Sequence, residues 1–136
     1  MTLPIQTLNP KLYALTESLE LGKATGREAG LELAPLEERA FEGGEFKLRP
    51  LDSVRHRPVF VLQSLVATPG TTIADSLVRL LFLLNGLREA GARAVHVRGI
   101  EAGHVIRCGV VWRGCETNLS RQSHCAIADR LARVVT

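Results

Sequence analysis

Aromatic side chains and strong charge are both scarce in this sequence, and their scarcity excludes one class of protein. Phe, Trp and Tyr together make up only 4% of the residues, too few to form a platform on which successive nucleic-acid bases could stack. The net charge is +3, far from the concentrated Lys and Arg footprint with which proteins hold a phosphate backbone. We therefore expect no nucleic acid among the partners of this protein.

No segment is apolar for long enough to cross a bilayer. The most apolar stretch, residues 77–87, is interrupted by Arg79, Asn85 and Gly86, whereas a membrane-spanning helix needs about 20 predominantly apolar residues. Residues 1–15 also lack the basic start and apolar core of a secretory signal. Cysteine is rare and odd in number, at 3 residues. These features predict a cytoplasmic protein with reduced thiols and no membrane contact.

The remaining composition is that of an ordinary globular domain. Hydrophobic residues make up 46% and charged residues 23% of the 136 positions, which argues against wholesale disorder. A chain of this length fits one domain and buries about two thirds of its unfolded surface on folding. That burial is enough for one hydrophobic core.

A glycine pair in the first half of the chain predicts a β-hairpin. Apolar and charged side chains alternate over residues 45–49, and a second short segment at residues 37–41 precedes the pair Gly43-Gly44. Period-two segments on both sides of a Gly-Gly pair are typical of two strands joined by a tight turn. Glycine is favoured in such turns because it adopts positive φ without steric strain.

The next segments predict a βαβ unit. Residues 59–62 form an uninterrupted apolar run, typical of a strand that is covered on both faces. Thr72 and Asp75 match a capping box at the start of a helix that extends to about Ala90. Its apolar residues are so many that we expect a largely buried helix: Leu77, Val78, Leu80, Leu81, Phe82, Leu83, Leu84 and Leu87. A strand from Ala94 completes the unit, with adjacent parallel strands and a right-handed crossover.

Shorter elements are predicted on either side of this unit. Thr16 is a candidate N-cap for a helix that ends at about Ala29. Gly22 and Gly26 lower the helix propensity of this segment, and Gly30 is expected to end the helix. Further extended segments are expected at residues 12–15, 31–35, 105–106 and 110–112, and a short amphipathic helix at residues 126–135. The fold class is therefore α/β, a mainly parallel sheet with a βαβ unit and a β-hairpin extension.

The order and spacing of these segments resemble one enzyme family. The segments are LYALTESLELG, an F-x-x-G-E turn, an SVR loop, an apolar strand that ends in Gln-Ser, and DSLVRLLFLLNGLREAGA. In this order they resemble the N-terminal domain of phosphoribosyl pyrophosphate synthetase, or ribose-phosphate pyrophosphokinase, over residues 12–97. The resemblance implies one half of a phosphoribosyltransferase-like α/β protein, and it implies assembly into oligomers.

The resemblance also implies a nucleotide site at the hairpin turn. Members of the family transfer the β,γ-pyrophosphoryl group of ATP to the 1-hydroxyl of ribose 5-phosphate with Mg²⁺, so ATP and Mg²⁺ are the implied cofactors. The family's F-x-D-G-E loop contacts ATP that is held mainly by a neighbouring subunit, and this role falls on Phe41, Gly43, Gly44 and Glu45. Gly43 stands where many relatives carry Asp or Asn, which removes one polar contact. We identify no metal ligand in this chain.

A second implied site lies in the loop after the hairpin. Ser53 and Arg55 resemble a loop that in many relatives helps to bind a regulatory phosphate or nucleotide, and a hydroxyl next to a guanidinium suits phosphate. His56 stands where relatives usually have Gly. Because of this difference, the resemblance does not predict the shape of the loop.

The resemblance ends after residue 97. Relatives continue with a proline-tyrosine segment and a basic Arg-Gln/Lys-Asp run that binds ATP, whereas this chain reads RGIEAGHVIRCGVVWRG. The later catalytic histidine, the basic catalytic loop and the acidic ribose-phosphate loop are also absent. No catalytic residue is therefore assigned, and we expect the chain alone to be inactive.

The same break suggests how the chain is divided. We expect a synthetase-like α/β domain at residues 1–100 and a divergent tail at residues 101–136, which either stands apart or belongs to the same domain. An out-of-frame or fused gene end would explain the composition of the tail.

Simpler interpretations remain beside these. Judged without the resemblance, the Gly-Gly pair is a plain turn and the basic loop is a solvated surface. His104 and Cys108 have one spacing that zinc ligands use, and no nucleophile-elbow pattern supports a catalytic triad near His124. Three functions stay open: a truncated or divergent synthetase, a non-catalytic module that docks on a full-length synthetase, and an unrelated nucleotide-binding domain. The expected partners are a nucleotide and either a second copy in a homo-oligomer or a full-length synthetase subunit.

Overall fold

Two α-helices and seven strands make up the part of the chain that the structure describes. This computed structural model describes residues 9–101, 104–106 and 110–113. The elements in chain order are β1 (Lys11–Ala14), α1 (Leu19–Ala29), β2 (Leu36–Ala40), β3 (Phe46–Pro50), β4 (Pro58–Ser64), α2 (Ile73–Glu89), β5 (Ala94–Glu101), β6 (His104–Ile106) and β7 (Val110–Arg113).

β4 is an inner strand of the larger sheet and is buried along almost its whole length. The strand order is β1-β4-β5-β6, and β7 also pairs with β5. Val59 of β4 pairs with Lys11 of β1 on one side and with Val95 of β5 on the other, and both neighbours are parallel to β4. β6 and β7 are antiparallel to β5. All residues of β4 except Ser64 are buried, which confirms the predicted strand with two covered faces and the predicted α/β class.

Each face of this sheet is covered by one helix, because alternate side chains of a strand point to opposite faces. The core on the α2 side includes Tyr13, Val59, Val61, Leu80, Leu83, Leu87, Val95 and Val97. The core on the α1 side consists of Leu12, Ala14, Ala29, Phe60 and Leu62. The hairpin of β2 and β3 is a separate two-stranded sheet that packs on the α2 side through Leu36 and Leu48.

α2 begins as predicted, but its burial was predicted wrongly. Thr72 Oγ1 accepts a hydrogen bond from the Asp75 backbone N–H at 3.1 Å, and Asp75 Oδ2 accepts one from the Thr72 N–H at 2.9 Å. This confirms the capping box and, with β4 and β5, the βαβ unit. Only one stripe of the helix lies against the sheet, however, so that Leu81 and Phe82 are 55% and 63% exposed.

α1 begins later than predicted, because Thr16 does not cap it. Residues Thr16–Ser18 form a short 3₁₀ turn, and Ser18 occupies the N-cap position of α1. The backbone N–H and the hydroxyl of Thr16 both donate to Glu38 Oε2, at 2.9 and 2.6 Å. Thr16 therefore binds the hairpin instead of its own helix. Gly30 ends α1 with a φ of 68°, as predicted.

The glycines of α1 allow close packing. A Cβ atom at Gly22 would lie 2.5 Å from the Cβ of Ala14, and one at Gly26 would lie 2.5 Å from the carbonyl oxygen of Leu31. Gly22 and Gly26, which lower the helix propensity of this segment, are thus required where α1 approaches β1 and the chain that follows the helix.

Gly26→Ala is expected to lower the free energy of unfolding by about 1–3 kcal/mol, because the new methyl group forces the backbone near Leu31 to move. Gly86→Ala is the matched control in α2, since a Cβ there meets no atom within 4 Å. It is expected to raise the free energy of unfolding by about 0.5–1 kcal/mol through helix propensity. Urea denaturation measures both variants, and a destabilisation of equal size in the two would contradict the packing argument.

The predictions for the segments outside the βαβ unit are confirmed in part. The strands predicted at residues 105–106 and 110–112 are confirmed as β6 and β7. At residues 31–35 the structure has a single bridge, between Leu33 and Leu12, and the strand lies further on as β2. The helix predicted at residues 126–135, together with Cys108 and His124, lies outside the described residues. Neither helix in the described part is long and apolar enough to cross a membrane.

Candidate functional site

The hairpin has the turn that the glycine pair predicted. The backbone N–H of Phe41 donates to the carbonyl oxygen of Glu45 at 2.8 Å, and this bond closes the turn between β2 and β3. Gly43 and Gly44 both have a φ of 85°, a conformation that side chains with a Cβ rarely adopt. The turn therefore requires both glycines, whatever else it contacts.

Charged pairs across the two strands hold the hairpin in register. Glu37 and Arg49 are direct partners, and Arg49 Nε lies 2.6 Å from Glu37 Oε2. Lys47 Nζ lies 3.3 Å from the other carboxylate oxygen. The hydrogen bond from Arg49, together with Lys47, holds the pKa of the Glu37 carboxyl below its ordinary value. The charged side of β3 is thus a paired surface rather than a free one.

The turn opens onto a shallow hollow, here named the turn hollow. Its volume is about 410 Å³, and it is lined by Ala40, Phe41, Gly44, Glu45, Phe46, Gly70, Asp75, Val78 and Arg79. Phe41 is 48% exposed, and Glu45 is also exposed. The Asp75 carboxylate in this lining accepts hydrogen bonds from the Thr72 hydroxyl and backbone N–H, and these bonds hold the pKa of Asp75 below its ordinary value. The turn hollow thus offers an open ring face and a carboxylate that lie close together.

A polar network lies behind the hairpin, at the carboxyl ends of β1 and β4. Ser18 Oγ donates to Gln63 Oε1 at 3.2 Å, and Gln63 Nε2 donates to Glu17 Oε2 at 3.4 Å. Arg79 Nη1 of α2 donates to Glu17 Oε1 at 3.3 Å. The backbone N–H of Ser64 donates to Ser18 Oγ at 2.5 Å. This network joins the 3₁₀ turn, β4 and α2.

The network also fixes the hairpin against α2. The guanidinium carbon of Arg79 lies 6.0 Å from the centroid of the Phe46 ring, and Phe46 packs edge-to-face on Phe82 with centroids 5.2 Å apart. A cavity of about 290 Å³ lies between the hairpin and this network, with Thr16, Glu17, Glu38 and Arg79 in its lining. Sequence reasoning missed these residues. The polar pair Gln63-Ser64 directly after an apolar strand was the only local signal.

The loop that carries Ser53 and Arg55 contains one residue, His56, with a positive φ. Both side chains are exposed, and Val54 between them is buried. His56 has a φ of 60°, and its N–H donates to the carbonyl oxygen of Gly91 at 2.9 Å. Residue 56 therefore adopts the left-handed conformation that glycine favours, at some steric cost to His. His56 thus has a positive φ at the position where the resemblance led us to expect Gly.

The two candidate sites lie at opposite ends of the sheet. The loop with Ser53 and Arg55 precedes β4 and bridges to Ala92, just before β5. The cavity beside the hairpin includes Thr16, which lies two residues after Ala14, the last residue of β1. The structure therefore brings Phe41 and Glu45 together and leaves Ser53 and Arg55 apart from them. Within the described residues, no group of three or more His, Cys, Asp or Glu side chains could hold a metal ion.

Comparison with known proteins agrees with the resemblance described in the sequence analysis. Residues 10–97 match the family described as the N-terminal domain of ribose phosphate pyrophosphokinase. The chain is 33% identical over 87 residues to ribose-phosphate pyrophosphokinase 1 of Streptococcus pneumoniae serotype 4, which is 64% of this chain and 26% of that protein. It is 30% identical over 87 residues to the ribose-phosphate pyrophosphokinase of Bacillus caldolyticus, again 64% of this chain and 26% of that protein.

The fold is also found in a solved structure. Phosphoribosylpyrophosphate synthetase from Mycobacterium smegmatis has a TM-score of 0.59 and 24% identity, over 92% of this chain and 39% of that chain. The chain spans about a quarter of the length of the curated relatives, at 26%. Since the family match at residues 10–97 covers well over half of the 136 residues, the chain belongs to the family of ribose-phosphate pyrophosphokinase N-terminal domains.

Proposed function

We propose that this chain supplies the hairpin side of the ATP site of a ribose-phosphate pyrophosphokinase. The ring of Phe41 stacks on the adenine, and the Glu45 carboxylate accepts a hydrogen bond from its amino group. The observation that carries this proposal is the turn hollow, in which both side chains are exposed and lie next to each other. Base stacking on a ring is sequence-tolerant and favourable by about 1–3 kcal/mol.

The remaining groups of the turn hollow limit what it binds. Gly43 provides no side chain, and Asp75 is held by the helix cap. Arg79 in the lining donates to Glu17, so Glu45 is the lining side chain of the turn itself that can contact the polar edge of the base. Within the described residues, no group of three or more His, Cys, Asp or Glu side chains is placed to hold a metal ion, and we derive no step that uses Mg²⁺.

We further propose that the 136-residue chain alone does not transfer the pyrophosphoryl group. The chain after Val97 reads RGIEAGHVIRCGVVWRG and has neither the proline-tyrosine segment nor the Arg-Gln/Lys-Asp run of the family. Phosphoryl transfer depends on positioned groups that neutralise charge on the transferring phosphate. At the other end of the sheet, Ser53 and Arg55 are proposed as contacts for a regulatory phosphate.

Phe41→Ala is expected to weaken ATP binding by roughly 5- to 150-fold, the loss that corresponds to one stacked base. The measurement is an ATP titration of the 136-residue chain followed by amide chemical shifts at residues 41–45. Phe41→Tyr is the matched control, since it keeps the ring and should retain the wild-type affinity within about twofold. Inorganic triphosphate, which has no base, should leave these amides unshifted. If ATP also leaves them unshifted, the proposed nucleotide contact is wrong.

A second candidate is a non-catalytic module that docks on a full-length synthetase. It is favoured by one observation, the retention of the hairpin turn in a chain whose sequence departs from the family after Val97. The ATP titration separates the two candidates. Shifts at residues 41–45 that appear with ATP alone favour the nucleotide site, whereas shifts that require an added full-length synthetase favour the docking module.

A further inference from the structure

Arg79 of α2 lies between the turn hollow and the cavity behind the hairpin. Three residues line both of these spaces: Ala40, Phe46 and Arg79. Ala40 is the last residue of β2 and Phe46 the first of β3, and the two are paired across the hairpin. They therefore form the base of the turn, and Arg79 connects this base to α2.

The Arg79 side chain contacts two groups of different kinds. Its Nη1 lies 3.3 Å from Glu17 Oε1, and its guanidinium carbon lies 6.0 Å from the centroid of the Phe46 ring. A guanidinium suits both contacts at once, because its edge donates hydrogen bonds while its planar face is attracted to an aromatic ring. The Glu17 side chain is 8% exposed and that of Arg79 25%. Solvent therefore screens this pair less than it screens an ion pair on the open surface.

Phe46 adjoins the two residues that the proposed nucleotide contact needs. Glu45 precedes Phe46 in the chain, and Phe41 follows Ala40, the partner of Phe46 across the hairpin. The hydrogen bond that closes the turn joins the Phe41 N–H to the Glu45 carbonyl oxygen. A displacement of Phe46 is therefore transmitted through the backbone to both ends of the turn.

The turn end of the hairpin is held differently from its other end. Leu36 and Leu48 pack on the hydrophobic core, and they hold the end of the hairpin that is remote from the turn. At the turn end, Phe46 contacts α2 through Arg79 and through Phe82. The contact with Phe82 is more open to water, because Phe82 is 63% exposed. Loss of the guanidinium is thus expected to loosen the turn and to leave the core intact.

We propose that Arg79 is a positioning residue for the nucleotide contact at the turn. It holds the Phe46 ring against α2 and thereby sets the positions of Phe41 and Glu45, without itself contacting the base. This inference rests on the proposed nucleotide function. Its first step, the effect of Arg79 on the turn, is measurable without any nucleotide.

Arg79→Met tests this first step, because methionine keeps an unbranched apolar stem and removes the planar cation. Hydrogen exchange of the Phe41 amide, which donates to the Glu45 carbonyl oxygen at 2.8 Å, is expected to become about 2- to 30-fold faster. This range corresponds to the loss of one cation–π contact. The pair Glu17→Gln and Glu17→Gln/Arg79→Met makes the same comparison without leaving an uncompensated carboxylate. Equal Phe41 exchange in the two members of that pair would overturn the proposal.

An ATP titration tests whether the position of the turn matters for the nucleotide. Arg79→Met is expected to weaken ATP binding by about threefold or more, since fewer chains hold the turn in the binding position. Arg79→Lys should recover part of this loss, because an ammonium group also pairs with Glu17 and is attracted to the Phe46 ring. In a Phe46→Leu chain, Arg79→Met should have no further effect, because the ring through which Arg79 acts is absent. An equal loss with and without the ring would instead mean that Arg79 contacts the nucleotide directly, which contradicts the proposal.

Arg88→Met is the matched control, since Arg88 is an exposed residue of the same helix and lies outside the linings of both spaces. It should keep the Phe41 exchange rate and the ATP affinity within about twofold of the wild type. An ATP affinity as low as that of Arg79→Met would mean that general loss of positive charge explains both, and would contradict the positioning role. If the wild-type chain does not bind ATP, the nucleotide function is wrong, and the effect of Arg79 on the turn is judged by the Phe41 exchange alone.

Discussion

Leu83→Ala is expected to lower the free energy of unfolding by about 2–5 kcal/mol, the range for removing a buried leucine side chain. Leu83 is only 1% exposed and belongs to the core between α2 and the sheet, together with Val61 and Val95. The loss has two parts: the hydrophobic free energy of the removed carbons, and the cavity that neighbouring strands cannot fill because their backbones are held in the sheet.

Leu81→Ala in the same helix provides the contrast. Leu81 is 55% exposed, so this substitution is expected to change the free energy of unfolding by no more than about 0.5 kcal/mol. Both variants are compared with the wild type by urea denaturation. Similar losses in the two variants would mean that α2 is buried on both sides, as its composition alone suggests.

Stability is expected to fall between pH 10 and pH 12 because of Tyr13. Burial, followed by the nearby Asp52 carboxylate, raises the pKa of Tyr13 from 10.0 to about 12. Tyr13 is fully buried, and its hydroxyl has no hydrogen-bond partner among the described residues. The unfolded chain loses the phenolic proton near pH 10, whereas the folded chain keeps it until about pH 12. The contribution of Tyr13 to the free energy of unfolding is therefore constant below pH 10 and falls by about 1.4 kcal/mol per pH unit between pH 10 and the folded pKa of about 12.

The chain is well suited to this measurement, because it contains only 1 Tyr. The near-ultraviolet absorbance of the phenolate in native protein reads the pKa of Tyr13 directly. Lys and Arg also titrate at this pH, so the contribution of Tyr13 is taken as the difference between the wild type and Tyr13→Phe. That difference should grow by about 2.7 kcal/mol across the range. An absorbance midpoint near pH 10 in the folded protein would contradict the prediction.

Several features of the candidate site were readable from the sequence because they are local. Gly43 and Gly44 predict the turn, since few other residues adopt a φ of 85°. Thr72 and Asp75 predict the start of α2, since a capping box involves only residues three positions apart. The resemblance then placed Phe41 and Glu45 at that turn, and the structure brings both into the turn hollow.

The polar network behind the hairpin could not be predicted from the sequence, because its hydrogen bonds join residues that are far apart in the chain. The hydrogen bond between Glu17 and Arg79 joins residues 62 positions apart, and the one between Thr16 and Glu38 joins residues 22 positions apart. Thr16 was predicted as a cap because its sequence context fits one. Glu38 accepts its hydrogen bond instead, and only the folded chain brings that carboxylate near.

The sequence by itself determined several elements of this protein. Alternation, the apolar run and the capping residues specify the hairpin, β4 and the βαβ unit, because each depends on residues that are neighbours in the chain. Tertiary structure alone decided which stripe of α2 is buried, since apolar side chains mark more than one face of the helix and the sheet covers only one of them. It also decided that the hairpin turn and the loop at Ser53 lie apart, because β4 separates the two ends of the sheet.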